Sequence, residues 1–392
     1  MRAIQRIADS GLESRGISAF ASHWDDLSRQ VYCVLGITID AIDMTGLLCA
    51  VADAAAAKSA FLISTPNLNF LVQSQTDSEF RETVLLSELC PADGMAIVWI
   101  ARLLGLPIKK RVAGSDMLEA LKQNHACAPP LKLFLFGGAE GVVDAAAKAL
   151  SQNSTGLSCV GTINPGYGTI EEISQEHLIQ RINASNADFL IAALSARKGQ
   201  LWLQHNHNRL QIPVRAHLGA AINFEAGKLR RAPQVIRKSG LEWLFRIKEE
   251  PYLWRRYWGD GRKLLGLFLT NILPLIVRAR LDRLRRRKPQ DLRIECAQDY
   301  KSVTLNLFGA ATAPNVERAV GIFRDALAAK KNIRINLSGT CAIDARFLGL
   351  ILMLRKQAKK QGAQLRLTGA SEPIQTMFRL NGAEFLLALD QN

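Results

Sequence analysis

The sequence predicts an α/β protein in three parts. A larger domain on a mainly parallel sheet with helices on both faces comes first, then a basic aromatic helical appendage, then a second small α/β domain. Three observations carry this. From residue 31 to about 225, short apolar runs alternate with stretches of helical periodicity, as in strands joined by helical crossovers. The formal charge of +15 is concentrated, because residues 228–288 hold 18 Lys and Arg against 5 Asp and Glu, a difference of +13. After RRRKPQDLR, which reads as a linker, a new strand–helix rhythm begins near residue 291. At 392 residues, 48% of them hydrophobic, the chain can bury a core for each of two domains.

An N-terminal extension covers 1–30 and the first domain 31–227. In that domain VYCVLGITI reads as a strand, TGLLCAVADAAAA as a helix and SAFLIST as a strand. LKLFLFGG is a strand leading into the helix GVVDAAAKALSQ. LSCVGTI, ADFLIAAL and PVRAHLG are strands, separated by the helices EEISQEHLIQRINAS and GQLWLQHNHNRL. This alternation describes a Rossmann-like sheet, whose ligands collect at the carboxyl ends of the strands. The loops that matter are therefore 64–69, 91–94, 111–116, 137–141, 161–168, 195–200 and 219–224. In the second domain (291–392) SVTLNLFGAAT, NIRINLSG and AQLRLTGA are strands. APNVERAVGIFRDALAAK, RFLGLILMLRKQAKKQG and EPIQTMFRLNG are helices.

The seven cysteines are scattered without a C-x-x-C pair, most of them in apolar runs, and read as small buried hydrophobes in a reducing compartment. MRAIQRIADSGLESRG has no apolar h-region, so no signal peptide is expected and the cytosol is the expected compartment. The longest apolar run, LLGLFLTNILPLIV (264–277), is 14 residues long. That is short of the about 20 needed to cross a bilayer and long enough to lie in its interface. Upstream, RRAPQVIRKSGLEWLFRIKEEPYLWRRYW (230–258) carries three of the six tryptophans. Trp243, Trp254 and Trp258 suit the headgroup level of a membrane, and Arg255 and Arg256 would each add roughly 1 kcal/mol near an anionic leaflet. The alternative for this segment is a basic helix packed on its own domain. No reading motif accompanies the charge, so nucleic acid is not an expected partner. No Walker A motif, H-E-x-x-H or metal-ligand cluster occurs, so no metal is expected. His205 and His207 lie two apart, do not share a helix face, and read as solvated.

Several loops could carry chemistry. In STPNLNF (64–70) Thr65 and Asn67 offer a hydroxyl and an amide to sugar or phosphate oxygens, or serve as turn chemistry before a helix. In CPADGMAIVWIARLLG (90–105) Asp93 can cap the apolar helix, can deprotonate an incoming hydroxyl, or both. KRVAGSDMLEALKQ (110–123) sets Arg111 beside a Gly114-Ser115-Asp116 turn. A helix start with an arginine nearby can hold an anion; the alternative is Ser115 or Asp116 as a plain cap. LFLFGGAEGVV puts Gly137 and Gly138 between strand and helix without a full G-x-G-x-x-G. Together these loops suggest an enzyme for a phosphorylated, hydroxyl-rich ligand.

TPNLNFL, PADGMAIVWIARLLG, KRVAGSDMLEAL, FLFGG, NPGYG, ARKGQLW, GAAINFEAGKLRRAP and GLEWLFRIKEEPYLWRRYW, in this order over residues 31–260, resemble the WecG/TagA/CpsF family of bacterial glycosyltransferases. The resemblance implies inverting transfer from a UDP-sugar to a saccharide on a polyprenyl diphosphate, in exopolysaccharide or other cell-surface glycan synthesis, without cofactor or required metal. Carried over by position, Asp93 is the general base, and Thr65 and Asn67 orient donor and acceptor. Arg111, Gly137 and Gly138 line the pocket, with Gly114, Asp116 and Tyr167 of the matching motifs. Arg231 and Arg237 reach over the donor diphosphate. Two positions depart from the family pattern. SARKGQLW (195–202) keeps Lys198 and Trp202 but has Gly199 where a Gln belongs, with Gln200 one place later as its substitute. Asn223 stands where many members have Asp.

Residues 332–370 resemble a STAS domain of the anti-sigma-factor-antagonist type. Asp344 matches the Asp before the usual phosphorylated Ser, and Leu348-Gly349 match the residues after that Ser. Ala345 and Arg346 occupy the serine positions, so the resemblance implies a docking or regulatory module without the phospho-switch, and Asp344 is otherwise a helix cap. The expected partners are the polyprenyl-diphosphate-linked acceptor and an anionic membrane surface, with the chain peripheral on the inner face of the plasma membrane. A protein partner for the second domain and self-association stay open. The competing accounts are a catalytically inactive membrane scaffold acting through the second domain, and a soluble nucleotide-sugar enzyme.

Overall fold

The computed structural model describes residues 24–123, 130–284 and 290–388. VYCVLGITI is not one strand but a hairpin: β1 (Val31–Val34) and β2 (Ile37–Asp40) pair antiparallel. Leu35 at φ 48° and Gly36 at φ 90° supply the two positive φ angles of a tight hairpin turn. All eight strand residues are buried, so no polar–apolar alternation marks the reversal. The hairpin lies between two cores. Val31 and Cys33 point into the second domain's core, while Tyr32 and Val34 point into a core of the first.

The expected parallel sheet is present. β3 (Phe61–Ile63), β4 (Leu131–Gly137), β5 (Leu157–Ile163), β6 (Phe189–Ala193) and β7 (Val214–His217) run parallel in the order β3-β7-β6-β4-β5. Along β4, Leu133 and Leu135 face one side, toward helices Met44–Ala56, Gly114–Lys122 and Val142–Asn153. Phe134 and Phe136 face the other, toward helices Glu176–Ala184 and Ala196–His205, and Phe136 stacks on Trp202 at 4.0 Å. The chain moves outward from β4 to β5 and then back across to β6. It therefore changes direction at the β4–β6 pair, the kind of place where such sheets bind ligands. Single bridges Ile63↔Leu89 and Asp40↔Pro91 tie the hairpin to β3 through residues 89–91.

The appendage contains helices Gln234–Ser239, Glu242–Glu249 and Leu253–Leu267; the last continues through a π turn, Phe268–Ile272, into Leu273–Leu284. Leu253–Leu281 is by length and composition able to cross a membrane, a longer element than the apolar run alone suggested. Pro274 cannot donate to the helix ladder, and the widened turn just before it lets the helix continue. One side of this helix is held by protein. Ile272 is fully buried, Asn69 Nδ2 donates to Asp260 Oδ2 (3.2 Å), and Asn271 Nδ2 donates to the carbonyls of Arg379 (3.2 Å) and Leu380 (3.1 Å). Leu265, Leu269, Leu273, Val277 and Leu281 are exposed on the other side. Residues four apart drift by about 40° per step on an α-helix, and the π turn slows that drift.

The second domain is a four-stranded sheet, β11-β10-β9-β8, with β8 (Leu292–Gln298) antiparallel to β9 (Ser302–Ala311), and with β10 (Asn332–Ile343) and β11 (Leu365–Thr368) parallel. β8 begins inside the stretch read as linker. Asp344 caps helix Ala345–Lys360 by accepting from Phe347 N (2.9 Å), and it also accepts from Ala313 N (2.7 Å). That helix packs on β1. A Cβ on Gly349 would lie 2.2 Å from the Val31 carbonyl oxygen, and Arg346 donates to the same oxygen at 3.2 Å. The position matching the phosphorylated serine is thus covered by the first domain.

Residues 24–30 also join this interface. Lys356 Nζ lies 3.0 Å from carboxylates of both Asp26 and Glu88. Arg29 pairs with Asp26 (2.6 Å) and Asp40 (2.7 Å), and Lys360 with Glu88 (2.8 Å). All but Lys360 are nearly inaccessible to solvent. Burial alone would raise the Glu88 carboxyl, but the Lys356 and Lys360 ammonium groups hold it well below the usual carboxylate range. Glu88 also accepts from Leu62 N of β3 at 2.9 Å.

Two minor readings change. Cys33 and Cys90 are buried as expected, but Cys159 is partly buried and Cys49, Cys296 and Cys341 are exposed; Cys127 lies outside the described residues. His205 is exposed, whereas His207 lies beyond the helix end, where Arg215 donates to its carbonyl (2.6 Å) and burial pushes its imidazole down to about 4.

Candidate active site

β3 delivers Thr65 and Asn67 to the carboxyl rim of the sheet. Asn67 caps helix Leu68–Ser74, its Oδ1 accepting from Asn69 N (3.0 Å) and Phe70 N (3.2 Å). Its amide nitrogen makes no hydrogen bond among the described residues. Asp93 N donates to the Pro66 carbonyl at 2.9 Å, which sets the 91–94 loop against this rim. Asp93 does not cap the following helix, Met95–Leu103. Gly94, at φ 100°, holds the cap position without a side-chain bond, and Asp93 Oδ2 instead faces Gly114 N at 3.5 Å. Gly114 lets Leu218 and Thr65 pack close, since a Cβ there would meet Leu218 Cδ2 at 2.2 Å and Thr65 Cγ2 at 3.3 Å and the leucine would have to shift. Burial lifts the Asp93 carboxyl to about 7, against the pull of the Arg111 guanidinium and with a push from Glu242. A carboxyl group poised there at neutral pH suits proton abstraction.

Beside it lies an arginine cluster. Asp116 does not cap its helix, where Ala113 holds the cap position and makes no side-chain bond. It accepts instead from Arg111 (2.8 Å), Arg237 (2.8 Å) and Arg231. Arg111 also pairs with Glu242, and Arg231 donates to Ser115 Oγ at 3.2 Å. The three guanidinium groups face two carboxylates, leaving one positive charge over. The Nε–H groups of Arg231 and Arg237 are moreover buried without an acceptor. Unmade donors of this kind are costly, and an anion entering between them would satisfy both.

The remaining residues divide. Gly137 and Gly138, at φ 102° and 79°, end β4 at the point where the chain changes direction, and Gly138 N donates to the Ala193 carbonyl at 2.7 Å. Lys198 donates to the Gly168 carbonyl and ties its helix to the 164–168 loop. Gln200 is fully buried and reaches Ser64 Oγ beneath the rim, leaving its own Oε1 unpartnered. Gly199 explains the local departure from the family pattern, because a Cβ there would lie 2.3 Å from His217 Cδ2. Asn223 is half-buried on helix Gly219–Glu225. Tyr167 is fully exposed and is not brought to the cluster.

The appendage thus faces two ways. Arg231, Arg237 and Glu242 turn into the site, while Trp243, Trp254, Trp258, Arg255 and Arg256 are exposed. Glu242 was missed as a site residue; its signal was a carboxylate next to Trp243 in an otherwise basic motif. Among the described residues, no three His, Cys, Asp or Glu side chains group as metal ligands.

Residues 32–277 match the Glycosyl transferase WecG/TagA/CpsF family, and residues 294–388 match the Mlab, STAS domain family. Both resemblances read from the sequence are borne out. The chain is similar to the N-acetylglucosaminyldiphosphoundecaprenol N-acetyl-beta-D-mannosaminyltransferase of Staphylococcus aureus strain MW2, with 27% identity over 212 residues, 54% of this chain and 78% of that protein. A protein of the same name from Bacillus spizizenii strain W23 is 24% identical over 200 residues, 51% of this chain and 75% of its own.

Proposed function

Since the chain belongs to the WecG/TagA/CpsF family of glycosyl transferases, we propose that it moves a sugar from a UDP-sugar to a polyprenyl-diphosphate-linked saccharide, with inversion. The names of its relatives describe such a lipid-linked acceptor, and exopolysaccharide or another cell-surface glycan is the product class this chemistry serves. One observation carries the reading: an uncapped Asp93 with its carboxyl lifted to about 7, beside arginines with unmade hydrogen bonds.

Asp93 takes the proton of the acceptor hydroxyl as that oxygen attacks the anomeric carbon. The bond from that carbon to the UDP oxygen breaks on the opposite face, and the electron pair leaves with UDP. Arg231 and Arg237 meet the charge growing on the β-phosphate, with their Nε–H groups as the waiting donors. Thr65 and the free amide of Asn67 hold sugar hydroxyls. In a transfer assay Arg237→Ala is expected to lower kcat by about 10²-fold; turnover close to wild type would remove the arginine from the leaving-group role.

The helix Leu253–Leu281 is read as lying in the membrane interface rather than crossing the bilayer. Its inner face is bound to Asn69 and to the second domain, and leaving those contacts would break these hydrogen bonds and expose Ile272, which is fully buried. The exposed leucine stripe and the outward tryptophans and arginines then meet the inner leaflet. Leu269→Asp combined with Leu273→Asp should cut co-sedimentation with anionic vesicles by about tenfold or more, and leave transfer to a water-soluble short-chain acceptor intact. Undiminished vesicle binding would move the contact elsewhere. The second domain, with its switch position covered by β1, is read as a buttress of the enzyme.

A further inference from the structure

A cavity of about 480 Å³ opens beside the base, bounded by Arg111, Asp116 and Arg237 on its inner side and by Met95, Arg102, Lys109 and Lys110 on its outer side. Of the inner arginines, Arg111 pairs with both Asp116 and Glu242, and Arg237 pairs with Asp116 and turns its open Nε–H to the donor site proposed above. The outer cations are unpaired: Arg102, Lys109 and Lys110 are exposed and form no ion pair among the described residues. Arg102 donates to the Lys109 carbonyl at 2.8 Å, which fixes its guanidinium over that loop. Three unpaired cations on one wall call for a ligand with more than one negative charge.

From Met95 an apolar stripe runs away from the cavity. Met95, Trp99 and Leu103 follow at four-residue intervals on one helix, and Trp99 and Leu103 are 45% and 52% exposed. The appendage closes on this stripe at Gly240, where a Cβ would lie 2.8 Å from Met95 Cγ and 3.2 Å from Trp99 Cζ2. Leu241 and Leu244, also exposed, come directly after it. A nucleotide diphosphate has no use for such an outlet. A diphosphate attached to a hydrocarbon chain does.

We infer that this cavity holds the diphosphate of the lipid-linked acceptor on Arg102, Lys109 and Lys110, with the prenyl chain leaving along Trp99 and Leu103. The inference rests on the acceptor class proposed above and adds the subsite that recognises it. It separates the two diphosphates of the reaction. The donor's lies on Arg231 and Arg237, and the acceptor's lies one sugar away from Asp93 on the outer cations.

Calorimetric titration with farnesyl diphosphate and with UDP tests this without requiring turnover. Lys109→Ala combined with Lys110→Ala should weaken farnesyl diphosphate by about tenfold or more, as expected for lost charge-assisted bonds, and leave UDP within twofold. Trp99→Ala should weaken farnesyl diphosphate by about tenfold, again sparing UDP. Loss of UDP affinity, unchanged farnesyl diphosphate affinity, or no farnesyl diphosphate binding by the wild type would each overturn the assignment. The expected binding pattern in a protein that transfers no sugar from any UDP-sugar would instead overturn the transfer reading and leave the cavity's ligand class standing.

Discussion

Asp93→Asn is expected to reduce transfer by about 10³-fold, the scale of a lost general base, and at the same time to raise the melting temperature at pH 8. The two effects share one cause. Burial lifts the Asp93 carboxyl to about 7 in the folded protein, from an ordinary value of 3.8. Below about 4 the group is neutral in both the folded and unfolded chain and costs nothing. Between about 4 and 7 the unfolded chain ionises while the folded one stays protonated, so this group's contribution to stability falls as pH rises. Above 7 the folded enzyme carries an ionised carboxylate in a partly buried site, and asparagine relieves that cost. Wild-type turnover should therefore rise through about pH 7. The melting-temperature gain of the variant should be present at pH 8 and vanish near pH 4. Transfer assays beside thermal melts at both pH values read this out. A variant that turns over normally, or that melts lower than wild type at pH 8, would remove Asp93 as a base lifted by burial.

Lys356→Met is expected to destabilise the whole protein by about 3–5 kcal/mol, the range for breaking a buried charge pair. Three cations, Arg29, Lys356 and Lys360, face three anions, Asp26, Asp40 and Glu88. Removing Lys356 leaves a net negative charge among side chains that are nearly inaccessible to solvent. The effect should not be confined to the second domain, because Val31 and Cys33 of the hairpin belong to that domain's core while Tyr32 and Val34 belong to the first. Urea unfolding should show one transition for wild type and variant, shifted to lower urea in the variant. Adding Asp26→Asn should recover part of the loss by restoring the balance. A loss under 1 kcal/mol, or separate transitions for the two domains, would refute the shared-core account.

How legible these features were depended on burial pattern. LKLFLFGG and LSCVGTI read as strands because each is flanked by turn residues and packed in the parallel sheet. The hairpin escaped notice because both of its faces are buried, so the turn at Leu35-Gly36 sits inside an unbroken apolar run. β8 escaped for the opposite reason: most of its residues are exposed, and its charged start looked like linker. The long helix was underestimated because Asn271 and Pro274 interrupt its hydropathy, and only the packing reveals that Asn271 bonds to the second domain. At the site, Thr65, Asn67, Asp93 and Arg111 stood out as strand-end chemistry and do converge. Asp116 was visible as a turn residue, but its binding of three arginines depends on the appendage folding back. Tyr167 lay in a matching motif and remains in solvent. The Asp26–Glu88–Lys356 network could not be read at all, since isolated charges in a sequence look like surface.

The helix that carries the leucine stripe is fastened to the first domain at Asp260 and to the second at Asn271. A protein seated on a bilayer by such a helix has lost its freedom to tumble with respect to that bilayer. On the proposed reading its acceptor is confined to the same plane, and is found by lateral diffusion in two dimensions rather than by a search through the volume of the cell. It arrives already oriented, with its sugar toward the water and its chain in the lipid, so part of the orientational entropy of the encounter is removed before binding. The proposed donor alone would come from solution.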